Sequence, residues 1–302
     1  MNYKQVYEWG VDCLKKAGIS EAELDARLLL EHVCKTDRNT LLAHGDRGVS
    51  KEDYDSYVNH ISQREKRIPL QHITGVQEFM GLEFEVNENV LIPRQDTEIL
   101  VEEVMRHLHD GMRILDMCTG SGCILLSLLY YSNDCSGIGV DISKVALDTA
   151  LRNAQKLQRR KDGINAAFLQ SDLFKEFGKS DFQYVDNLER KQLLTEMVNE
   201  MRFEIIVSNP PYIKSSEIEA LMPEVKDYEP ISALDGREDG LYFYREIIKQ
   251  AGNYLTGGGE LFFEIGFDQG NDVKNMMEAA GYKQVEIIKD YAGLDRVVQG
   301  SL

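Results

Sequence analysis

Basic residues are scarce in this chain: 34 Lys and Arg stand against 51 Asp and Glu, a formal net charge of −17 with His neutral. A protein that grips nucleic acid through its phosphates gains most of its affinity from cations that release counterions. The charge balance therefore argues against nucleic acid as the main partner and for a small molecule or a protein. Long apolar runs are absent as well. The longest, around Cys123 to Tyr131, falls far short of the ~20 residues that span a bilayer, so no membrane partner is expected. Met1-Asn2-Tyr3-Lys4 leads into an amphipathic helix and not into an apolar signal core, which gives no sign of export. Cysteine is sparse: Cys13, Cys34, Cys118, Cys123 and Cys135 are odd in number and form no Cys-x-x-Cys pair. They read as reduced thiols of a cytoplasmic protein. What is present is ordinary soluble material: 302 residues, 43% of them hydrophobic, enough for one large and one small domain.

Residues 1–68 read as a helical bundle. Val6, Trp9, Cys13 and Leu14 recur at helical spacing, and Ser20-Glu-Ala-Glu23 and Ser50-Lys-Glu-Asp53 have the form of capping boxes ahead of further apolar stripes. Pro69 is expected to end the bundle. In residues 69–95 the pattern turns to alternation, with Phe79, Leu82, Phe84 and Val86 set against Glu83 and Glu85, which predicts a β-hairpin linker. Residues 96–302 alternate short strands with helices. Strands are expected at 113–117, 137–140, 166–169, 203–207, 260–265, 284–288 and 296–298, with helices starting near Asp96, Cys123, Lys144, Gly240 and Gln269. That rhythm predicts an α/β fold with a doubly wound, mostly parallel seven-stranded sheet, one late strand running antiparallel. A charged insertion at 175–202, with Leu194, Met197 and Met201 at helical spacing, interrupts it.

Two stretches carry chemistry. An apolar strand ends in Asp116 and gives way to the turn Cys118-Thr119-Gly120-Ser121-Gly122 and a helix; Asp141 ends the next strand. A glycine turn exposes backbone amides to a ligand, and an acid at that second position can accept both hydroxyls of a ribose. The third glycine of the dinucleotide fingerprint is missing, with Leu125 in its place, so NAD fits less well than S-adenosylmethionine. Asp116 is expected to face the amino-acid end of that cofactor. The second stretch is Asn209-Pro210-Pro211-Tyr212, directly after the strand 203–208. A planar NH2 is a poor nucleophile because its lone pair is delocalised. Accepting both its hydrogens, at the Asn209 side-chain oxygen and the Pro210 carbonyl, orients the nitrogen and raises its electron density. Pro210 and Pro211 stiffen the loop, and Tyr212 offers a flat face to a planar group. This chemistry suits a methyltransferase acting on an amide or on a ring amine such as adenine N6.

The whole chain resembles the release factor glutamine methyltransferases, which methylate the glutamine amide of the Gly-Gly-Gln motif in peptide-chain release factors. The resemblance is carried by residues 69–75 (PLQHITG), 91–98 (LIPRQDTE), 114–126, 140–143, 171–174 (SDLF), 206–213 (IVSNPPYI), 228–230 and 292–298. It implies a Rossmann-like methyltransferase domain; the helical domain before it holds no candidate chemical group and precedes the cofactor fold, so it is expected to dock the protein substrate. The resemblance further implies that Asn209 to Tyr212 hold the glutamine, that Cys118 to Gly122 and Asp141 bind S-adenosylmethionine together with Asn209, and that Asp172 and Leu173 flank the adenine. Cys118 stands where the family usually has glycine, and the 175–202 insertion is longer than usual.

Other residues weigh less. Arg94 either meets substrate or pairs with a carboxylate, and Glu264 reads as structural. His107 and His109, two apart on a helix, point to different sides, so no metal site is expected. Past the motif, Lys214, Lys226 and Arg237 are outnumbered by acids such as Glu217, Glu219, Glu224, Asp227 and Glu229. Such a rim repels phosphates and favours a protein glutamine over a flipped base.

Overall fold

A computed structural model describes residues 1–177 and 202–302. The helix expected around Leu194, Met197 and Met201 lies outside the described residues. The chain divides into two compact units, Met1–Val76 with Met222–Tyr228, and Gln77–Leu221 with Glu229–Leu302.

The first unit is helical: α1 (Tyr3–Lys16), α2 (Ala22–Cys34), α3 (Arg38–Ala43), α4 (Lys51–Glu65) and α5 (Leu70–Thr74). Val6, Leu14, Ala26, Leu29, Leu30, Tyr57 and Ile61 close its core, with Trp9 packed against it. Pro69 does not end the helical unit. It is the N-cap of α5, consistent with a ring that fixes φ where no helix N–H is needed. The start of α4 follows expectation, Ser50 Oγ accepting from the Asp53 amide at 3.0 Å. Ser20 does not cap α2; Glu21 sits at that position with no side-chain bond. The reciprocal box is instead at Asn2 and Gln5, which α1 uses.

One buried cation organises this unit. Arg64 Nε donates to Asp25 Oδ2 at 2.7 Å and Arg64 Nη2 to Glu224 Oε1 at 3.0 Å, and Arg67 reaches the same Glu224 oxygen at 3.1 Å. Tyr228 Oη donates to the Lys66 carbonyl at 2.6 Å. These bonds explain why residues 222–228, remote in sequence, belong to the helical unit.

The second unit holds, from Gln77 on, the hairpin β1 (Val76–Phe79) and β2 (Leu82–Glu85) and a seven-stranded sheet of order β5-β4-β3-β6-β7-β9-β8. The strands are β3 (Arg113–Met117), β4 (Ser136–Asp141), β5 (Asn165–Gln170), β6 (Phe203–Ser208), β7 (Leu255–Glu264), β8 (Lys283–Lys289) and β9 (Asp295–Ser301). Among the described residues only β9 of this sheet runs antiparallel to its neighbours, β7 and β8. On one face lie α6 (Gln95–His107), α7 (Cys123–Tyr131) and α8 (Lys144–Gln158); their apolar sides join Ile114, Ile205, Val207 and Phe262 in one core. On the other, the helices Tyr242–Ala251 and Gly270–Ala279 pack on Leu115, Ile206, Leu261 and Phe263. The hairpin is part of this unit: Phe79 and Phe84 are buried in the first core. Asn153 on α8 clamps it, accepting from the Glu85 amide at 2.7 Å and donating to the Glu85 carbonyl at 3.1 Å. His109 lies past the end of α6, while His107 Nδ1 sits 3.0 Å from Glu260. Among the described residues no helix is long and apolar enough to cross a membrane, and the five cysteines are free thiols.

Arg64→Ala should destabilise the helical unit by about 3–5 kcal/mol, because it leaves the buried Asp25 without its cation and Glu224 with Arg67 alone. The only tryptophan of the chain, Trp9, sits in that unit, so urea unfolding followed by its fluorescence reads the loss directly.

Candidate active site

In parallel α/β sheets ligands bind beyond the carboxyl ends of the strands, where the strand order reverses. Here the reversal lies between β3 and β6, paired in register from Ile114↔Ile205 to Met117↔Ser208. Ser208 Oγ donates to the Met117 carbonyl at 2.6 Å and pins the two strand ends together. The glycine turn leaves one of these ends and Asn209 leaves the other, so two motifs far apart in the sequence meet through a single strand pairing.

Asp116 builds the turn. Thr119 Oγ1 donates to Asp116 Oδ2 at 2.6 Å, and the Leu125 amide reaches the same oxygen at 3.3 Å. The carboxyl is fully buried, and burial pushes it up to about 7. It therefore braces the loop from beneath and does not line the cleft, contrary to the expectation that it faces a ligand. Thr119 and Ser121 are buried with it. Cys118 holds φ at +64°, a left-handed conformation that a side chain adopts at a cost of roughly 1–2 kcal/mol and that explains the usual glycine. Gly120 and Gly122 also take positive φ, and Gly122 is the N-cap of α7. Of the turn, Cys118 and Gly120 reach the cleft.

That cleft has a volume of about 410 Å³, within the ~300–1,000 Å³ typical of small-ligand sites. Asp141 stands at one wall, its Oδ2 accepting from the Gly120 amide at 2.9 Å and its Oδ1 from the Ser143 amide at 2.8 Å. Burial raises its pKa while these two bonds oppose the shift. Each oxygen keeps a lone pair for a hydroxyl donor. Asp172, Leu173, Asn209 and Pro211 line the cleft too, as does Ile142, and so do Val90, Ala146 and Phe243, which sequence patterns did not single out. Among the described residues Arg237 is the one cation of the lining, and Asp235 answers it at 3.4 Å. A cleft with carboxylates and apolar walls, whose cation is already paired, is a poor home for a pyrophosphate. It fits a nucleoside bearing a positive sulfonium.

The Asn209 to Tyr212 loop is held from several sides. Asn209 Nδ2 donates to Thr97 Oγ1 at 3.3 Å, Tyr212 Oη to Glu264 Oε1 at 3.4 Å, and Gln269 Nε2 to the Tyr212 carbonyl at 3.0 Å. Pro210 and Pro211 are buried. Gly236 and Gly240 press against Tyr212 so closely that a Cβ at either would come within 2.7 Å and 2.4 Å of its backbone. Burial pushes the Tyr212 phenol up and the Glu264 carboxyl up to about 7. Arg94 pairs with the buried Glu229. That Thr97, Gln269, Gly236 and Gly240 converge on the loop escapes a sequence reading, because nothing in their spacing announces it, although Thr97 lies in the 91–98 stretch and Gly240 and Gln269 near expected helix starts.

A doubly wound sheet carrying an acidic, nucleoside-sized cleft and a tightly held Asn-Pro-Pro-Tyr loop at its switch point defines an S-adenosylmethionine-dependent methyltransferase. Residues 108–209 match the family model described as a methyltransferase domain, and residues 5–75 the one described as the PrmC N-terminal domain. The release factor glutamine methyltransferase of Clostridium botulinum is 41% identical over 96% of this chain and 95% of its own. That of Geobacter sulfurreducens is 36% identical over 99% and 96%. A methyltransferase structure from Pyrococcus furiosus shares the fold at 17% identity, covering 80% of this chain and 98% of that one with a TM-score of 0.50. The chain belongs to the release factor glutamine methyltransferase family.

Asp141→Ala should weaken S-adenosylmethionine binding by about 1.5–3 kcal/mol, the loss of a charge-assisted hydrogen bond. Titration calorimetry measures it, and unchanged affinity would take Asp141 out of the site.

Proposed function

We infer that the protein methylates the side-chain amide nitrogen of the glutamine in the Gly-Gly-Gln motif of peptide-chain release factors. The observation that carries this reading is the rigid Asn209 to Tyr212 loop at the edge of the acidic cleft, in a chain whose full-length relatives are named for that reaction. S-adenosylmethionine supplies an activated methyl group on a positive sulfur that departs as a neutral thioether, so no side chain has to protonate it.

The chain's own residues answer the remaining difficulty, the delocalised amide lone pair. Asn209 Oδ1 and the Pro210 carbonyl accept the two N–H bonds and hold the nitrogen towards the methyl donor. Pro210 and Pro211 fix the loop through their φ angles, and the grip of Gln269 on the Tyr212 carbonyl keeps the ring in place against the planar amide. Asp141, Gly120, Asp172 and Leu173 hold the nucleoside. The helical unit contains none of these groups and is assigned to docking of the protein substrate. Glu217, Glu219, Glu238 and Asp239, exposed and following the loop in the sequence, disfavour a phosphate backbone.

The test offers labelled cofactor with an intact release factor, a short peptide carrying its Gly-Gly-Gln motif, and DNA, side by side. Label should enter the glutamine of the intact factor, and the peptide much more slowly for want of the docked surface. Label on adenine with none on glutamine would overturn the substrate assignment, and equal rates on peptide and factor would remove the docking role. In single-turnover assays Asn209→Ala should lower the transfer rate on the order of 10²-fold or more while cofactor binding largely survives.

A further inference from the structure

Both ends of the Asn209 to Tyr212 loop run back to one buried carboxylate. Asn209 Nδ2 donates to Thr97 Oγ1 and Tyr212 Oη to Glu264 Oε1, at 3.3 Å and 3.4 Å. Thr97 also bears on Glu264, its hydroxyl drawing the carboxyl down against burial, and Glu264 Oε2 is buried with no hydrogen-bond partner of its own among the described residues. Thr97 and Glu264 are each 2% exposed, so water cannot replace either partner. Tyr244 Oη donates to the Glu264 backbone carbonyl at 3.0 Å and fixes the strand end from which the carboxylate projects.

The direction of these bonds matters more than their strength. An ionised carboxylate only accepts. Thr97 must then give its proton to Glu264 and turn its lone pair to the Asn209 NH2, which leaves Asn209 Oδ1 as the end available to substrate. A side-chain amide reversed by half a turn would present NH2 to the substrate NH2, donor against donor. We propose that Glu264, acting through Thr97, is the positioning residue that fixes which end of the Asn209 amide meets the substrate nitrogen. The proposal rests on the assignment of Asn209 as the acceptor for a glutamine amide.

The charged surroundings make the device sensitive to pH. Facing Glu264 are Asp96 on α6, Cys123 on α7, Tyr212, Tyr244 and Arg296 on β9. Burial raises the carboxyl to about 7 against the attraction of Arg296. Below that pH Glu264 is protonated and can itself donate to Thr97, so the polarity of the chain is lost; above it the polarity is enforced.

The experiment measures kcat, KM for an intact release factor, cofactor affinity and melting temperature for Glu264→Gln, Thr97→Val and Thr97→Ser. Glutamine keeps the shape of the glutamate side chain but can donate. The expected result is a fall in kcat on the order of 10²-fold with KM and cofactor affinity nearly unchanged, for Glu264→Gln and Thr97→Val alike. Thr97→Ser, which keeps the hydroxyl, should restore most of the rate. Wild-type kcat should rise with pH through neutrality, and Glu264→Gln should flatten that rise. A Glu264→Gln enzyme with wild-type kcat and pH profile would overturn the proposal, as would Thr97→Ser being as slow as Thr97→Val. The Thr97 pair decides the matter if Glu264→Gln does not fold. Failure of the wild-type enzyme to methylate the glutamine would instead overturn the substrate assignment beneath the proposal.

Discussion

The parallel pairing of β3 with β6 is the constraint on which the rest of the catalytic unit depends. It sets Met117 beside Ser208, and the Ser208 hydroxyl locks the two ends at 2.6 Å. From that point the chain diverges in two directions, one into the glycine turn and α7, the other into Asn209 and its prolines. A slip of the pairing by one residue would send every side chain of a strand to the opposite face. Ile205 and Val207 face one core while Ile206 faces the other, so burial on both faces forbids the slip. Hydrophobic packing thereby fixes the distance between the cleft and the Asn209 to Tyr212 loop.

Polar groups buried behind this seam serve rigidity. Asp116 under the turn and Glu264 under the loop are both raised to about 7 by burial, a sign that their charges are costly where they stand. Each is retained as an acceptor for donors that shape a loop: Thr119 and the Leu125 amide for Asp116, Tyr212 and Thr97 for Glu264. Desolvated hydrogen bonds hold geometry more firmly than exposed ones, because the alternative to making them is an unsatisfied group. The helical unit uses the same device on another scale, with Arg64 gathering Asp25 and Glu224 from distant parts of the chain.

Much of the architecture was legible. Strand limits at 113–117 and 203–207 nearly coincide with β3 and β6, because buried parallel strands are mostly apolar runs that end at polar or glycine residues. The Asn209 to Tyr212 motif announced itself by unusual composition. Local competition was harder to judge: Ser20 looked like a cap, yet Glu21 holds that place, and Pro69 looked like a terminator, yet it opens α5. In each case the residue type allowed two outcomes and packing of the neighbouring helices chose one.

The sequence by itself determined the order and type of the elements, the acidic balance, and the two motifs that define a methyltransferase of this family, since periodicity and backbone chemistry act over a few residues. Tertiary structure alone decided that Asp116 turns inward and Asp141 outward, and that residues 222–228 pack with the helices. It also decided that Thr97, Glu264, Gln269, Gly236 and Gly240 gather around one tetrapeptide. Those facts depend on which distant side chains share a buried volume, and burial is a property of the assembled layers that no local pattern encodes.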